Sequence, residues 1–341
     1  MRSSRSAASS PTPDRDPAMT TTIVPRRLNV LEDAEQLIEL FDLVFGHTVT
    51  PPMWAWKYRP PWVARDYCWV GEVDGRVVGY IGAVPARGWH DGKEVPFFQL
   101  ADIMVHPDYR LHYDYFEIAP REIMADLGQT HPDHLLYGFS SHRAFRWFER
   151  IGLSGLVERA RTRYVGRGGN GAGILEAESG PAATGRFELR DWPWKAPEID
   201  QVWRDQRIDV GTGLIRDTAY LSWRYGGHPI NGYRLLGIYE GGDVRGWVII
   251  GNDSPGKKGR AQEIPVVDML LPESCVQPVL ADLAAHVDNP LMLWFPNRLA
   301  PEFPDSKDSG TYVYHFVRDS IVDTEYLQNH LYYTMGDVDW W

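Results

Sequence analysis

The chain has 341 residues, of which 43% are hydrophobic and 24% charged, so it can bury a large core and is long enough for two domains. Acidic residues outnumber basic ones by 46 to 35, and the net charge of -11 without a long basic run argues against a nucleic-acid partner. Two cysteines, Cys68 and Cys275, are too few for a disulfide framework or a thiolate metal centre. We therefore expect a metal-free cytoplasmic protein.

Two low-complexity segments divide the chain. The first 25 residues are rich in serine, proline and arginine and lack the apolar stretch of a secretory signal, and no segment has the length of a membrane span. Met19 is an alternative start. Residues 166–185 are rich in glycine and alanine. The predicted organisation is a disordered segment over 1–25, a first module over 26–165, a linker over 166–187 and a second module over 188–341.

Apolar periodicity and turn residues predict the elements of the first half in chain order. They indicate a helix over 33–45, a hairpin of strands 67–72 and 76–84 around Asp74-Gly75, a strand over 94–105, a helix over 115–127, a strand over 134–139 and a helix over 143–150. The second half follows the same order more loosely, with a helix over 278–287 and a strand over 291–295. This order is typical of an α/β fold with a mixed sheet.

The two halves also repeat in register. WAWKYRPP, from Trp54, corresponds to LSWRYGGHP, from Leu221. A glycine follows the Trp-Lys/Arg-Tyr unit at the same distance in both halves, since Gly79 comes 23 residues after Trp56 and Gly246 comes 23 residues after Trp223. Such agreement predicts two copies of one module.

Several segments carry a family resemblance. The element order, together with VVGYIGAVPA, MVHPDYR and SSHRAFRWFERIGL, resembles the GNAT-type N-acetyltransferase superfamily. The third segment is similar to the closing pattern Asn-x-x-Ala-x-x-Leu-Tyr-x-x-x-Gly-Phe of that superfamily, at Ala144, Trp147, Phe148, Gly152 and Leu153. The resemblance covers residues 27–164 and, more faintly, the chain from residue 188 onward. It implies two tandem GNAT-like modules.

The resemblance also implies a donor site with a changed phosphate turn. Backbone groups near Met104 and Val105 would hold the pantetheine arm, and a turn of the form Arg/Gln-x-x-Gly-x-Gly/Ala would bind the pyrophosphate at a helix N-terminus. Arg110 occupies the first position, but Tyr113 and Tyr115 stand at the glycine positions. Because bulky side chains block the close approach of a backbone to phosphate, we expect coenzyme A not to bind in the ordinary way.

A second departure is Phe148, which falls where many members have a tyrosine that protonates the leaving thiolate, because a phenyl ring has no proton to donate. Three interpretations follow. The donor is an acyl group on a carrier protein or an atypically bound acyl-coenzyme A, the first module has another chemistry or only binds a ligand, or it is a structural relic. The first predicts transfer of an acyl group from a thioester to an amine of a small molecule or peptide.

Matched acidic residues are the main catalytic candidates. Asp102 lies 46 residues after Trp56 and Asp268 lies 45 residues after Trp223, each within an otherwise apolar strand where a carboxylate needs a partner. Asp102 is predicted to act as general base or to orient the amine. The alternative is that each aspartate anchors the repeated unit, through Lys57 and Arg224 respectively.

Further candidates are concentrated after the third long strand of the first half. His112 and Tyr113 are predicted to be catalytic with Asp102, and Tyr115, Ser141 and His142 to bind substrate, although the serines could simply cap a helix. This polar and aromatic excess places the predicted site in the first module. The apolar C-terminus, YYTMGDVDWW, is expected to be docked near the junction of the modules.

Overall fold

The computed structural model describes residues 23–29, 31–110, 114–166, 183–252, 263–299, 303, 306–318 and 320–338. The predictions for residues 1–22, for residues 167–182 of the linker and for His112 and Tyr113 lie outside the described residues. None of the described helices is long and apolar enough to cross a membrane.

The first half contains six strands and four helices among these residues. They are β1 (Val24–Arg27), α1 (Ala34–Phe45), α2 (Pro51–Tyr58), β2 (Cys68–Val73), β3 (Arg76–His90), β4 (Lys93–Val105), α3 (Asp114–Thr130), β5 (Leu135–Ser141), α4 (His142–Arg150) and β6 (Ser154–Val165). The predicted elements are confirmed, with ends displaced by one to three residues at most places. β3 instead continues to His90, because its end pairs with a strand from the second half.

The described part of the second half repeats this order with additions. Its elements are β7 (Glu188–Asp191), α5 (Pro197–Val210), β8 (Thr212–Leu214), α6 (Thr218–Leu221), β9 (Tyr233–Glu240), β10 (Asp243–Gly251), β11 (Ile264–Leu270), α7 (Glu273–Ala284), β12 (Leu291–Leu293), β13 (Ser306–Phe316), α8 (Thr324–His330) and β14 (Leu331–Tyr332). Helix α7 begins five residues before the predicted start at Pro278, which lies inside it. Burial of Cys275 and Val276 outweighs the backbone hydrogen bond that the proline removes.

One mixed sheet joins both halves through exchanged strands. In the described residues its order is β1-β2-β3-β4-β5-β13-β6-β12-β11-β10-β9-β7. Strand β13 of the second half lies between β5 and β6, and β6 of the first half lies between β13 and β12. Each half therefore completes its sheet with a strand of the other, β13 for the first half and β6 for the second.

The repeated tryptophans lie at the approximate two-fold axis of this arrangement. The rings of Trp56 and Trp223 stack with centroids 5.3 Å apart at 19°. The indole N–H of Trp56 donates to the carbonyl of Trp223 at 2.9 Å, and that of Trp223 donates to the carbonyl of Trp56 at 3.1 Å. The reciprocal contact confirms the predicted repeat.

A buried histidine on exchanged strand β13 should make stability depend on pH. His315 is 0% exposed, its Nε2 lies 2.8 Å from Thr324 Oγ1, and burial lowers its pKa to about 4. In the unfolded chain this imidazole takes up a proton near pH 6.5, whereas in the folded protein it stays neutral until about pH 4. We therefore expect the free energy of unfolding to fall by about 3 kcal/mol as the pH falls from 6.5 to 4.

Urea unfolding at a series of pH values measures this effect, with His315→Gln as the comparison. The glutamine can still hydrogen-bond Thr324 but does not titrate, so the slope between pH 6.5 and 4 should be smaller in the variant. Equal slopes in both proteins would contradict the prediction. His228, whose pKa burial also lowers to about 4, contributes the same background to both proteins.

Candidate functional site

The first half has an opening in the sheet where β4 and β5 separate. These parallel strands are paired from Phe97 with Leu135 to Leu100 with Gly138. Beyond that pair, β5 continues beside β13 and β4 continues beside β3. We call this opening the β4–β5 cleft. Ligands of α/β proteins commonly bind where the carboxyl ends of neighbouring parallel strands diverge.

A bulge in β4 lies at this cleft. The β3–β4 register shifts between Tyr80 and Gly82, and Asp102 on β4 has a φ of 50°, a conformation that few residues other than glycine adopt. Lys57 Nζ donates to the two oxygens of Asp102 at 2.8 and 2.7 Å, and the Tyr58 hydroxyl donates at 2.6 Å. Burial and the charge of Asp102 raise the pKa of Tyr58 well above its usual value. The phenol is therefore a permanent donor that fixes the bulge.

Asp268 repeats this contact with a different cation. Its carboxylate accepts from the Tyr225 hydroxyl at 2.8 Å and from Arg216 Nε at 2.9 Å. The predicted anchoring of Asp268 by Arg224 is wrong. Arg224 instead donates to the carbonyls of Gly336 and Val338 at 2.9 and 2.7 Å, because the C-terminal segment passes between it and Asp268.

That C-terminal segment fills the corresponding opening of the second half. Strands β11 and β12 are paired only from Ile264 to Val266, and beyond this point Thr334 and Asp337 lie against β11. Thr334 Oγ1 donates to Asp268 at 3.0 Å, and Arg216 donates to both Asp337 oxygens at 2.8 and 2.7 Å. The predicted docking of the C-terminus is confirmed for residues 332–338, whereas residues 339–341 lie outside the described residues.

The predicted donor-binding residues lie on and after the end of β4. Met104 is buried against α1 and α2, and Val105 is buried on the other face against α3 and α4, so their backbone rather than their side chains can face the cleft. Arg110 is exposed after a 3₁₀ turn over Pro107–Tyr109. An exposed guanidinium at this position can contact an anion.

Tyr115 has a packing role instead of the predicted substrate contact. It is 1% exposed, and its hydroxyl donates to the Trp69 carbonyl at 2.9 Å. Its ring covers Gly79, where a Cβ atom would lie 2.6 Å from the ring, so the repeated glycine of the first half makes room for this tyrosine. Its hydroxyl and its ring are therefore both engaged in contacts within the first half.

Ser141 and His142 lie together at the exposed junction of β5 and α4. Ser141 is at the N-cap position of α4, but its side chain makes no capping hydrogen bond. The His142 ring lies 5.2 Å from that of Tyr312. Both residues stay predictions for substrate contact at the rim, and so do His112 and Tyr113.

Sequence reasoning missed one residue, Tyr314 on β13. A Cβ atom at Gly138 would lie 2.6 Å from the Tyr314 hydroxyl, so this phenol lies at the point where β4 and β5 separate. Its ring stacks on Phe148 with centroids 6.0 Å apart at 24°, in the cluster packed against α3 and α4. The second half therefore places a hydroxyl beside the position where the first half has phenylalanine.

Comparisons with known proteins agree with this geometry. Residues 25–113 match the acetyltransferase (GNAT) domain family. A probable N-acyltransferase from Enterococcus faecalis is 16% identical with a TM-score of 0.63, over 87% of this chain and 72% of its own. A GCN5-related N-acetyltransferase from Anabaena variabilis is 13% identical with a TM-score of 0.62, over 84% of this chain and 71% of its own.

Saccharomyces cerevisiae N-myristoyltransferase, solved with bound myristoyl-CoA and inhibitors, is 13% identical with a TM-score of 0.57, over 89% of this chain and 81% of its own. No curated protein sequence matches this chain. At such low identities the solved structures establish the fold alone. The chain has the fold of these acyltransferase structures, and residues 25–113 match the acetyltransferase (GNAT) domain family.

Proposed function

We propose that this protein is an N-acyltransferase that moves an acyl group from a thioester to an amine in the β4–β5 cleft. The observation that carries the proposal is the cleft itself, which lies partly within the matched GNAT domain and has a bulged β4 at its edge. The equivalent opening of the second half is filled by residues 334–338, which favours a site in the first half. The second candidate, a non-catalytic binding module, is favoured by the changed phosphate turn.

The proposed reaction forms a C–N bond and breaks the C–S bond of the thioester. Backbone N–H groups near Met104 and Val105 would polarise the thioester carbonyl. The leaving thiolate takes a proton from the buried Tyr314 hydroxyl, and the proton that the attacking amine loses restores it. A phenol hydroxyl is a proton donor of the kind that can act as general acid towards a leaving thiolate.

Asp102 is proposed to position the bulge and not to take the proton. Two donors, Lys57 and Tyr58, already occupy its carboxylate. Asp102→Asn should then lower kcat without changing the shape of the pH profile, and Tyr58→Phe should do the same more weakly. Loss of the acidic limb of the profile in Asp102→Asn alone, with the fold intact, would instead make Asp102 the general base.

The proposed donor is a carrier-tethered acyl group or an atypically bound acyl-coenzyme A. Acetyl-coenzyme A should show no saturable binding in the micromolar range by calorimetry, because Tyr113 stands where a phosphate turn needs glycine. Thiol release from an acetylated phosphopantetheinyl carrier, in the presence of a panel of amines, tests transfer directly.

The control for this experiment is Arg143→Ala, which removes an exposed arginine of α4 away from the predicted donor turn. Micromolar binding of acetyl-coenzyme A that Arg110→Ala abolishes and Arg143→Ala leaves intact would show ordinary donor binding. Absence of thiol release with either donor and every amine would favour the binding module.

A further inference from the structure

Two polar atoms below the cleft, one on β4 and one on β5, lack hydrogen-bond partners in the described part of the chain. Gln99 on β4 and Tyr137 on β5 are paired in register, one pair before Leu100 and Gly138. In a parallel pair, side chains in register project from the same face of the sheet. Gln99 Nε2 and Tyr137 Oη are both buried and have no partner among the described residues, and Tyr137 is only 4% exposed. Two neighbouring buried donors without acceptors indicate a missing ligand group.

A cavity between the halves is lined by Gln99, the strand neighbour of Tyr137. It has a volume of about 40 Å³, and its walls include Gln99, Trp56, Lys57, Tyr220, Arg224 and Asp337. Burial, and next the charge of Asp337, raise the pKa of Tyr137 well above its usual value, so its phenol keeps its proton. A volume of this size holds one small polar group or one to two water molecules.

A second, open depression lies beside the cavity. This depression of about 670 Å³ shares Trp56 and Trp223 with the cavity and is also lined by Lys195, Asp200 and Asp217. A molecule could therefore insert one group beside Gln99 while its remainder occupies the depression. This shape suits an extended ligand that ends in a small polar group.

The cavity and Tyr314 lie on opposite faces of the sheet. Tyr314 and Leu100 belong to the cluster beneath α3 and α4, whereas Tyr137 belongs to the cluster shared with the second half. If Tyr314 protonates the leaving thiolate, the opposite face is the side from which the amine approaches. On the proposed function, the occupant of the cavity is therefore the acyl acceptor.

The charges around the cavity balance. Lys57, Arg224 and Asp337 line it, and with the ion-pair partners Asp102, Arg216 and Asp268 behind them three cations match three carboxylates. With no excess positive charge, the surroundings favour a neutral oxygen over a free carboxylate. Two donors side by side match the lone pairs of one carbonyl oxygen.

We propose that the acceptor is an amine bearing an amide carbonyl, as in an amino-acid amide or the N-terminus of a peptide, and that Gln99 and Tyr137 donate to that carbonyl oxygen. This assignment rests on the proposed N-acyltransferase function. Gln99 and Tyr137 then determine specificity for amines that carry a neutral carbonyl over amines that do not.

The test compares glycinamide, glycine and propylamine. Saturation-transfer NMR without any donor should show binding of glycinamide over the other two, and this preference should disappear in Gln99→Leu and Tyr137→Phe. In turnover, the ratio of kcat/KM for glycinamide over propylamine should fall roughly tenfold in each variant, as expected for one lost hydrogen bond. Thermal unfolding checks that both variants fold.

The possible outcomes distinguish a failure of the proposed carbonyl site from a failure of the proposed acyl transfer. Equal losses for glycinamide and propylamine, or no loss for either, would overturn the assignment while leaving acyl transfer standing. A preference for glycine would contradict the proposal that the site binds a neutral carbonyl rather than a carboxylate. Selective glycinamide binding that needs Gln99 and Tyr137, without acyl transfer from any donor, would keep the site and overturn the proposed function.

Discussion

Tyr314→Phe should lower kcat for an alkyl thioester donor by about 10²- to 10⁴-fold, as expected when a general acid is removed. The loss should be far smaller with an aryl thioester, because an aryl thiolate is a weak base and leaves without a proton. The substitution keeps the ring that packs against Phe148, so the fold should persist. Steady-state thiol release with matched acetyl donors measures both effects.

Two further variants make the result specific to the Tyr314 hydroxyl. Tyr312→Phe removes a phenol two residues away on the same strand and should have little effect. Phe148→Tyr in the Tyr314→Phe background should recover part of the loss, since the two rings lie 6.0 Å apart. Equal losses with alkyl and aryl donors would show that Tyr314 supports structure alone.

Arg216→Met should cause the largest loss of stability. Arg216 is 0% exposed and pairs with Asp268 and Asp337, which are also buried. Burial opposes its charge, yet the two carboxylates raise the pKa of Arg216 well above its usual value. Removal of one partner from a buried ion pair typically lowers the free energy of unfolding by about 3 to 5 kcal/mol, and here two carboxylates lose their cation.

Urea unfolding of Arg216→Met beside Arg234→Met tests this expectation. Arg234 pairs with Asp191 at the surface, where their side chains are 59% and 68% exposed, so its loss should change stability by less than about 1 kcal/mol. Arg216→Lys keeps the charge and should fall between the two. A midpoint for Arg216→Met equal to that of the surface control would contradict the prediction.

The sequence was sufficient for features that depend on local pattern or on the repeat. The spacing of Trp56 and Trp223 predicted two copies of one fold, and the structure brings both rings to the two-fold axis. The predicted anchor from Lys57 to Asp102 is present. For Asp268 the same reasoning chose the wrong arginine, because Arg216 has no counterpart in the repeated motif.

Features that depend on pairing between distant segments of the chain could not be predicted from the sequence. Nothing in the pattern of β13 indicates that it inserts next to β5, and only that insertion brings Tyr314 to Gly138. Gln99 and Tyr137 resemble ordinary strand residues until the register places them side by side. The sequence indicated that the C-terminal segment docks, but not that it fills the second cleft.

The exchange of strands also determines how long one strand edge stays unpaired during synthesis. The edge of β5 has no partner until β13 is synthesised, because Val313 of β13 pairs with Phe139, about 170 residues earlier in the chain. At about 5 to 20 residues per second, that edge stays open on the ribosome for roughly 9 to 35 s. An unpaired strand edge attracts other strands throughout this time, so slower translation lengthens the interval in which a neighbouring nascent chain can take the place of β13.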